Sequence, residues 1–129
     1  MRTNIRWAFS GMVAFGAACS NPFDKGVCTL EFRYGLVVYV QDSVTGAAAA
    51  SGATLLAREA GFEDSFTNPA GGSDADARPL LSAGERAGTY QLTVTKAGYA
   101  PWTRNNVTVT ENACHVNQTE LTARLQPAA

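Results

Sequence analysis

The sequence predicts an all-β domain, a sandwich of about seven antiparallel strands arranged as two sheets. Short runs of β-branched and aromatic residues alternate along the chain with clusters of Gly, Pro, Asn and Asp, which is typical of strands joined by turns. No window repeats apolar residues at helical spacing,. Because strands with one buried face alternate apolar and polar residues, we expect two such sheets to enclose one core.

Three strands are predicted in the first half of the domain, over residues 28–42, 52–58 and 61–67. In the first strand, Gly35 indicates a bulge or bend before residues 36–40 enter the core. Residues 43–46 include Ser, Thr and Gly and are expected to turn the chain,. The second strand alternates, and its predicted buried face consists of Ala53, Leu55 and Ala57,.

The second half begins with the most loop-like segment, residues 68–77, whose Gly, Asp and Pro predict an exposed and mobile excursion,. Further strands are expected over residues 78–81, 90–95, 102–110 and 115–126. Alternation predicts which side chains of the last three strands point into the core, namely Tyr90, Leu92, Val94, Val107, Val109, Leu121, Ala123 and Leu125,.

Length and composition limit the class of protein. The chain has 129 residues, of which 46% are hydrophobic and 16% charged, so we expect one folded domain and exclude a disordered tail. Lys and Arg together number 10 against 11 for Asp and Glu. Because no excess of positive charge is present, nucleic acid is not an expected partner.

The N-terminus has the pattern of an export signal. Arg2 and Arg6 precede an uncharged apolar run at residues 7–18, like the n-region and h-region of a signal peptide. The run ends in Gly-Ala-Ala before Cys19. This ending resembles the lipobox of bacterial lipoproteins, in which the cysteine is lipidated and becomes the new N-terminus. Ordinary signal-peptidase cleavage after Ala18 is the alternative, and either route exports the protein.

The lipobox resemblance implies a removed leader, residues 1–18, and a tether, residues 19–27, that holds the domain at a membrane through acyl chains on Cys19. Ser20 stands where well-known lipoproteins retained at the inner membrane have Asp. The resemblance therefore implies the bacterial outer membrane, with the domain on its periplasmic or surface face.

Three cysteines are present: Cys19, Cys28 and Cys114. If Cys19 carries lipid, Cys28 and Cys114 remain as one pair in an oxidising compartment, and we predict a disulfide between them. Two buried free thiols are the alternative. A metal site is not indicated, because one histidine and two distant cysteines lack the spacing of metal ligands.

Four segments carry a family likeness, at residues 38–46, 52–55, 85–99 and 114–116. The Gly-Thr-Tyr and Ala-Gly-Tyr sequences within the third segment are the most telling. Through these segments, residues 35–127 resemble the carboxypeptidase regulatory-like domains, which are transthyretin-like (prealbumin-like) β-sandwiches. The resemblance implies an accessory or binding module over residues 28–127, with no catalytic residues to carry over.

We therefore expect a non-enzymatic, lipid-anchored module that binds an envelope protein or a glycan and uses no cofactor or metal. A hydrolase is a remote alternative, because no nucleophile motif lies beside the single histidine, His115,. We expect His115 to be structural or exposed.

Calcium is a further alternative, but the spacing of the candidate acidic residues fits a solvated loop better than an EF-hand, and these residues are Glu63, Asp64, Asp74 and Asp76,.

A second hypothesis, from a different class, is carbohydrate binding. Tyr99 and Trp102 are the two candidate ligand-binding residues, because aromatic rings close together on a sandwich can stack on sugars,. Packing in the core or at the edge of a sheet is the alternative role for both rings.

Overall fold

The computed structural model describes residues 28–129, so the predicted leader and tether, residues 1–27, lie outside the described residues. The described chain forms seven strands and one short helix. In chain order these are β1 (Tyr34–Asp42), β2 (Thr54–Glu59), β3 (Phe62–Thr67), α1 (Gly72–Asp76), β4 (Leu80–Gly84), β5 (Gly88–Thr95), β6 (Trp102–Val109) and β7 (Thr119–Leu125). The predicted all-β sandwich is confirmed.

The strands are divided between two sheets. One sheet has three strands in the order β4-β1-β7, and the other has four in the order β3-β2-β5-β6. All strand pairs are antiparallel except β1 and β7, which are parallel. The prediction of a wholly antiparallel sandwich was therefore wrong for this pair. The chain reaches β7 from the other sheet, and such a crossing connection permits a parallel neighbour where a tight hairpin does not.

The core lies between the two sheets and follows the predicted alternation. Leu55 and Ala57 on the inner face of β2, and Ala53 immediately before it, are fully buried. The inward residues predicted for the later strands are also buried, namely Tyr90, Leu92, Val94, Val107, Val109, Ala123 and Leu125. Leu121 is only partly buried and packs against this core from its margin.

The first strand is shorter than predicted, because β1 begins at Tyr34 and residues 28–33 form an arm outside both sheets. Gly35 lies within β1 at a point where the backbone packs closely against Val109 and Ala83. A Cβ atom there would lie 2.6 Å from Val109 Cγ1 and 2.9 Å from the carbonyl oxygen of Ala83. The glycine is thus explained by tight packing, and the register between β1 and β4 is continuous around it.

The excursion between β3 and β4 is more ordered than predicted. It contains the short helix α1 and is largely exposed, but Asn68 at its start has only 3% of its surface exposed. The Asn68 side-chain amide donates to the carbonyl oxygens of Ala50 at 3.0 Å and Ala75 at 2.7 Å. One buried amide therefore joins the excursion to the connection between β1 and β2.

Candidate functional site

The two ends of the sandwich differ in what they present. We call the end at which β1 begins the proximal end and the end at which β1 finishes the distal end. The arm, residues 28–33, joins the sandwich at the proximal end, beside the loop that connects β6 to β7. Tyr99 belongs to the distal end, where its hydroxyl bonds to Asp42.

A disulfide joins the arm to the proximal loop. Cys28 and Cys114 are bonded, with their Cα atoms 5.0 Å apart and a sequence separation of 86. The predicted pairing is thereby confirmed, although Cys28 lies on the arm and does not open the first strand. The bond connects the first described residue of the chain to the loop that precedes the last strand.

Two hydrogen bonds between Glu85 and Arg33 also hold the arm, one through the Glu85 side chain and one through its backbone N–H. The Arg33 backbone N–H donates to Glu85 Oε1 at 2.7 Å, and the Glu85 backbone N–H donates to the Arg33 carbonyl at 2.8 Å. Glu85 has φ 47° and Ala83 has φ 54°, a left-handed conformation that non-glycine residues seldom adopt. This unusual turn after β4 places the Glu85 carboxylate against the arm.

His115 lies between Glu85 and the arm. Its Nδ1 is 2.9 Å from Glu85 Oε1, and its Nε2 is 3.1 Å from Thr29 Oγ1. The His115 side chain is 10% exposed and that of Glu85 is 29% exposed. Desolvation raises the pKa of Glu85, but the bonds from His115 and from the Arg33 N–H outweigh it, so the pKa is lowered overall,.

These groups border a groove of about 510 Å³ between the arm and residues 111–116. A hydroxyl, an imidazole and a carboxylate in this order also occur in the relays of serine hydrolases, where backbone N–H groups must in addition bind an oxyanion. Here the N–H groups of Cys114 and His115 both donate to Asn112 Oδ1, each at 2.9 Å. Because these neighbouring donors already have an acceptor, we interpret the Thr29, His115 and Glu85 row as a clamp on the arm.

Sequence reasoning missed Glu85 as the partner of His115. The two residues are 30 positions apart, and no local motif links them. The carboxylate reaches the imidazole only because the β4–β5 turn and the β6–β7 loop meet at the proximal end. The order of the strands in the two sheets therefore brings Glu85 and His115 together.

Tyr99 and Trp102 each have a separate structural environment at the distal end. The Tyr99 hydroxyl donates to Asp42 Oδ2 at 2.8 Å, and Lys96 Nζ lies 5.7 Å from the Tyr99 ring centroid. The Arg104 guanidinium lies 5.1 Å from the Trp102 ring centroid. Both aromatic side chains are half-buried against the core, and no ring contact among residues 28–129 joins them. The geometry favours packing over a shared sugar-stacking surface.

The Asp42 carboxylate holds the Tyr99 hydroxyl in place and has further bonding partners. It also accepts from the backbone N–H groups of Val44 at 2.8 Å and Thr45 at 2.9 Å. These bonds stabilise the charged form, so the pKa of Asp42 is lowered, with the Thr45 N–H contributing most and the Tyr99 hydroxyl next,. The bond to Asp42 correspondingly raises the pKa of Tyr99.

Three of the four acidic residues considered for calcium have other partners, and the fourth, Asp74, is exposed. Glu63 is paired with Arg58 at 3.2 Å, Asp64 accepts from Ser82 Oγ at 2.7 Å, and Asp76 accepts from the Ser51 N–H at 3.0 Å. In the part of the chain that the structure describes, no three potential metal ligands form a group. Residues 28–129 include no helix long and apolar enough to cross a membrane.

Comparison with known proteins assigned no family to this fold. No protein-family model matches the sequence, and no curated protein matches it. The resemblance to carboxypeptidase regulatory-like domains therefore stays a prediction, and the functional argument depends on the geometry described above.

Proposed function

We propose that this protein is a lipid-anchored, non-enzymatic interaction module of the bacterial cell envelope, held at the outer membrane by acyl chains on Cys19 and binding a protein or glycan partner. The observation that carries the proposal is the Cys28–Cys114 disulfide at the start of the folded domain. Such bonds form and persist in oxidising compartments, which supports an exported chain and leaves Cys19 as the one remaining cysteine.

The position of the disulfide also suits a tethered domain. A pull that arrives from Cys19 through residues 19–27 reaches Cys28 first, and Cys28 is covalently joined to Cys114 in the body of the fold. Without this bond, the same pull would act on the hydrogen bonds of Thr29 and Arg33. A hydrogen bond contributes only about 0.5–1.5 kcal/mol, so a covalent connection keeps the arm attached under load.

The two-ended architecture supports a binding role. The tether would approach the proximal end, which leaves the distal loops between β1 and β2 and between β5 and β6 on the opposite side. Loops on a rigid sandwich are common sites of recognition. The resemblance to accessory domains of exported proteins favours the same function, and we place the partner surface at the distal end.

Lipid anchoring is tested with Cys19→Ser in the expression host. We expect acyl labelling of the protein to disappear and the domain to leave the membrane fraction while the Cys28–Cys114 bond still forms. Ser20→Asp is the matched variant: it keeps the cysteine, so labelling should persist and the protein should move from the outer to the inner membrane in a density gradient. Membrane retention of Cys19→Ser, or an unacylated wild type, would contradict the proposal.

A further inference from the structure

Two large apolar side chains of the arm face solvent. Leu30 is fully exposed and Phe32 is 61% exposed. Among residues 28–129, the only other exposed large apolar side chains are Tyr39 and Val44. Single exposed apolar residues are common on protein surfaces. Leu30 and Phe32 are separated by one residue on a six-residue arm, and together they form a local apolar contact point.

The fold holds this contact point in place. Cys28 on one side is fixed by the disulfide, and Arg33 on the other side is fixed by its two backbone bonds to Glu85. The Phe32 ring lies against Gly84, where a Cβ atom would collide with it, and meets the Tyr34 ring edge-on at a centroid distance of 5.1 Å. The exposed apolar surface is therefore presented by a braced segment.

Three carboxylates line the groove beside the two residues, those of Glu31, Glu85 and Glu111, and the first two have bonding partners. Glu31, which separates Leu30 from Phe32, forms an ion pair with Arg33 at 3.1 Å. Glu85 Oε1 is hydrogen-bonded to His115 Nδ1 behind the arm. These bonds lower the cost of bringing the arm to an apolar environment. Arg33 is the one basic residue of the arm, residues 28–33, so the arm itself does not call for an anionic surface,.

Chain length indicates what covers this contact point. The tether, residues 19–27, has nine residues, which reach at most roughly 30 Å when fully extended. If Cys19 is held in a leaflet, the arm is the part of the described domain nearest to Cys19 along the chain, and this reach keeps the arm close to that leaflet. Leu and Phe are among the residues that bury apolar surface at the boundary between headgroups and acyl chains.

We propose that Leu30 and Phe32 insert into the headgroup region of the leaflet that holds the acyl chains of Cys19. This inference rests on the proposed lipid anchor and adds a second contact to it. Acyl chains alone leave the domain free to rotate about its tether, whereas a second apolar contact fixes the proximal end toward the bilayer. The distal end, with Val44 and Tyr99, then points away from the membrane.

The test uses the lipidated protein reconstituted in phosphatidylcholine vesicles that contain nitroxide-labelled lipids. Trp102→Phe removes the one tryptophan outside the predicted leader, and Leu30→Trp then introduces a single indole at the contact point. The matched control is Val44→Trp, at a side chain that is 75% exposed at the distal end. We expect the labelled lipids to quench the fluorescence of Leu30→Trp and to leave that of Val44→Trp unchanged. Phe32→Trp is a second probe, expected to behave like Leu30→Trp.

The possible results separate the inference from the proposed function. Mass spectrometry first establishes whether Cys19 carries acyl chains. An acylated protein with no quenching at Leu30→Trp or Phe32→Trp overturns the membrane contact, leaves the anchor standing and indicates another occupant of the arm. Equal quenching at Leu30→Trp and Val44→Trp overturns the upright orientation. An unacylated Cys19 overturns the proposed function and this inference together.

Discussion

At the scale of single residues, Asp42 connects two parts of the distal end that are far apart in sequence. Its carboxylate closes the turn after β1 through Val44 and Thr45, and it accepts the hydroxyl of Tyr99 from the β5–β6 loop. The turn at residues 43–46 was predictable, because three of these four residues are Ser, Thr and Gly,. The bond to Tyr99 was not, since 57 positions separate the two residues and only the folded sheets bring them together.

Asp42 therefore makes stability depend on pH in a defined direction. Its pKa is lowered in the folded state from an ordinary value of 3.8, so its contribution is complete above that value and is lost as the pH falls through the folded pKa. We expect Asp42→Asn to be less stable than the wild type at neutral pH and to lose less stability on acidification. Urea unfolding at a series of pH values measures both effects.

The control for Asp42→Asn is Asp74→Asn, an exposed carboxylate in α1 that makes no side-chain hydrogen bond to the rest of residues 28–129. Its profile should follow that of the wild type. Superimposable acid profiles for Asp42→Asn and the wild type would show that the observed bonds contribute nothing to pH-dependent stability.

At the scale of elements, regular alternation allowed the strands and their buried faces to be predicted. The inward residues of β2 and β5 follow a period of two without interruption,. The start of β1 was not predictable, because residues 28–33 alternate apolar and polar residues as a half-buried strand does,. β1 begins where its partner ends, since Tyr34 pairs with Gly84, the last residue of β4. A strand begins where a neighbouring strand can pair with it, and the sequence pattern of one segment does not show where its neighbour ends.

Helix α1 was missed for a related reason. Its five residues, Gly-Ser-Asp-Ala-Asp, carry no apolar face, and a helix this short is unstable alone. Its position depends on Asn68, whose amide donates to Ala75 in the helix and to Ala50 outside it. Tertiary hydrogen bonds, which a sequence pattern does not display, decide the conformation of this segment.

Asn68→Ala tests this dependence. The change removes two side-chain hydrogen bonds, each worth about 0.5–1.5 kcal/mol, and we expect a loss of about 1–3 kcal/mol in the free energy of unfolding,. Limited proteolysis should also cut residues 69–79 faster, because the excursion loses its attachment. Asn105→Ala, at an exposed position of β6, is the matched control and should change neither quantity. An unchanged cleavage rate in Asn68→Ala would mean that other contacts hold the excursion.

At the scale of the whole molecule, the disulfide closes almost the entire described chain. Cysteine count and the lipobox resemblance together predicted the pair, because lipid on Cys19 leaves two thiols. Neither predicted that the bond would fasten an arm lying outside the sheets, nor that His115 and Glu85 would clamp the same arm. Those features follow from the meeting of the β4–β5 turn and the β6–β7 loop at the proximal end, which depends on the topology of both sheets.

Removing this bond should have a large effect on stability. Closing a loop of 86 positions restricts the unfolded chain enough to stabilise the fold by about 4 to 5 kcal/mol in the chain-entropy description. We expect the double variant Cys28→Ser with Cys114→Ser to unfold at correspondingly lower urea concentration than the oxidised protein. Reductant should destabilise the wild type by a similar amount and leave the double variant unaffected. Equal midpoints for the oxidised protein and the double variant would refute this expectation.

The parallel pairing of β1 with β7 has a mechanical consequence. Seven consecutive residue pairs join these strands, from Leu36 with Thr119 to Asp42 with Leu125. In the oxidised protein, tension between the arm and the far end of β7 passes through the Cys28–Cys114 bond directly into the chain that leads to β7. Once that bond is reduced, the same tension draws β1 and β7 in opposite directions along their length, so their hydrogen bonds are loaded in shear and must break together. An antiparallel neighbour under the same tension would peel apart one bond at a time. The covalent bond and the parallel strand pair therefore resist the same pull one after the other, the bond first and the strand pair after its reduction.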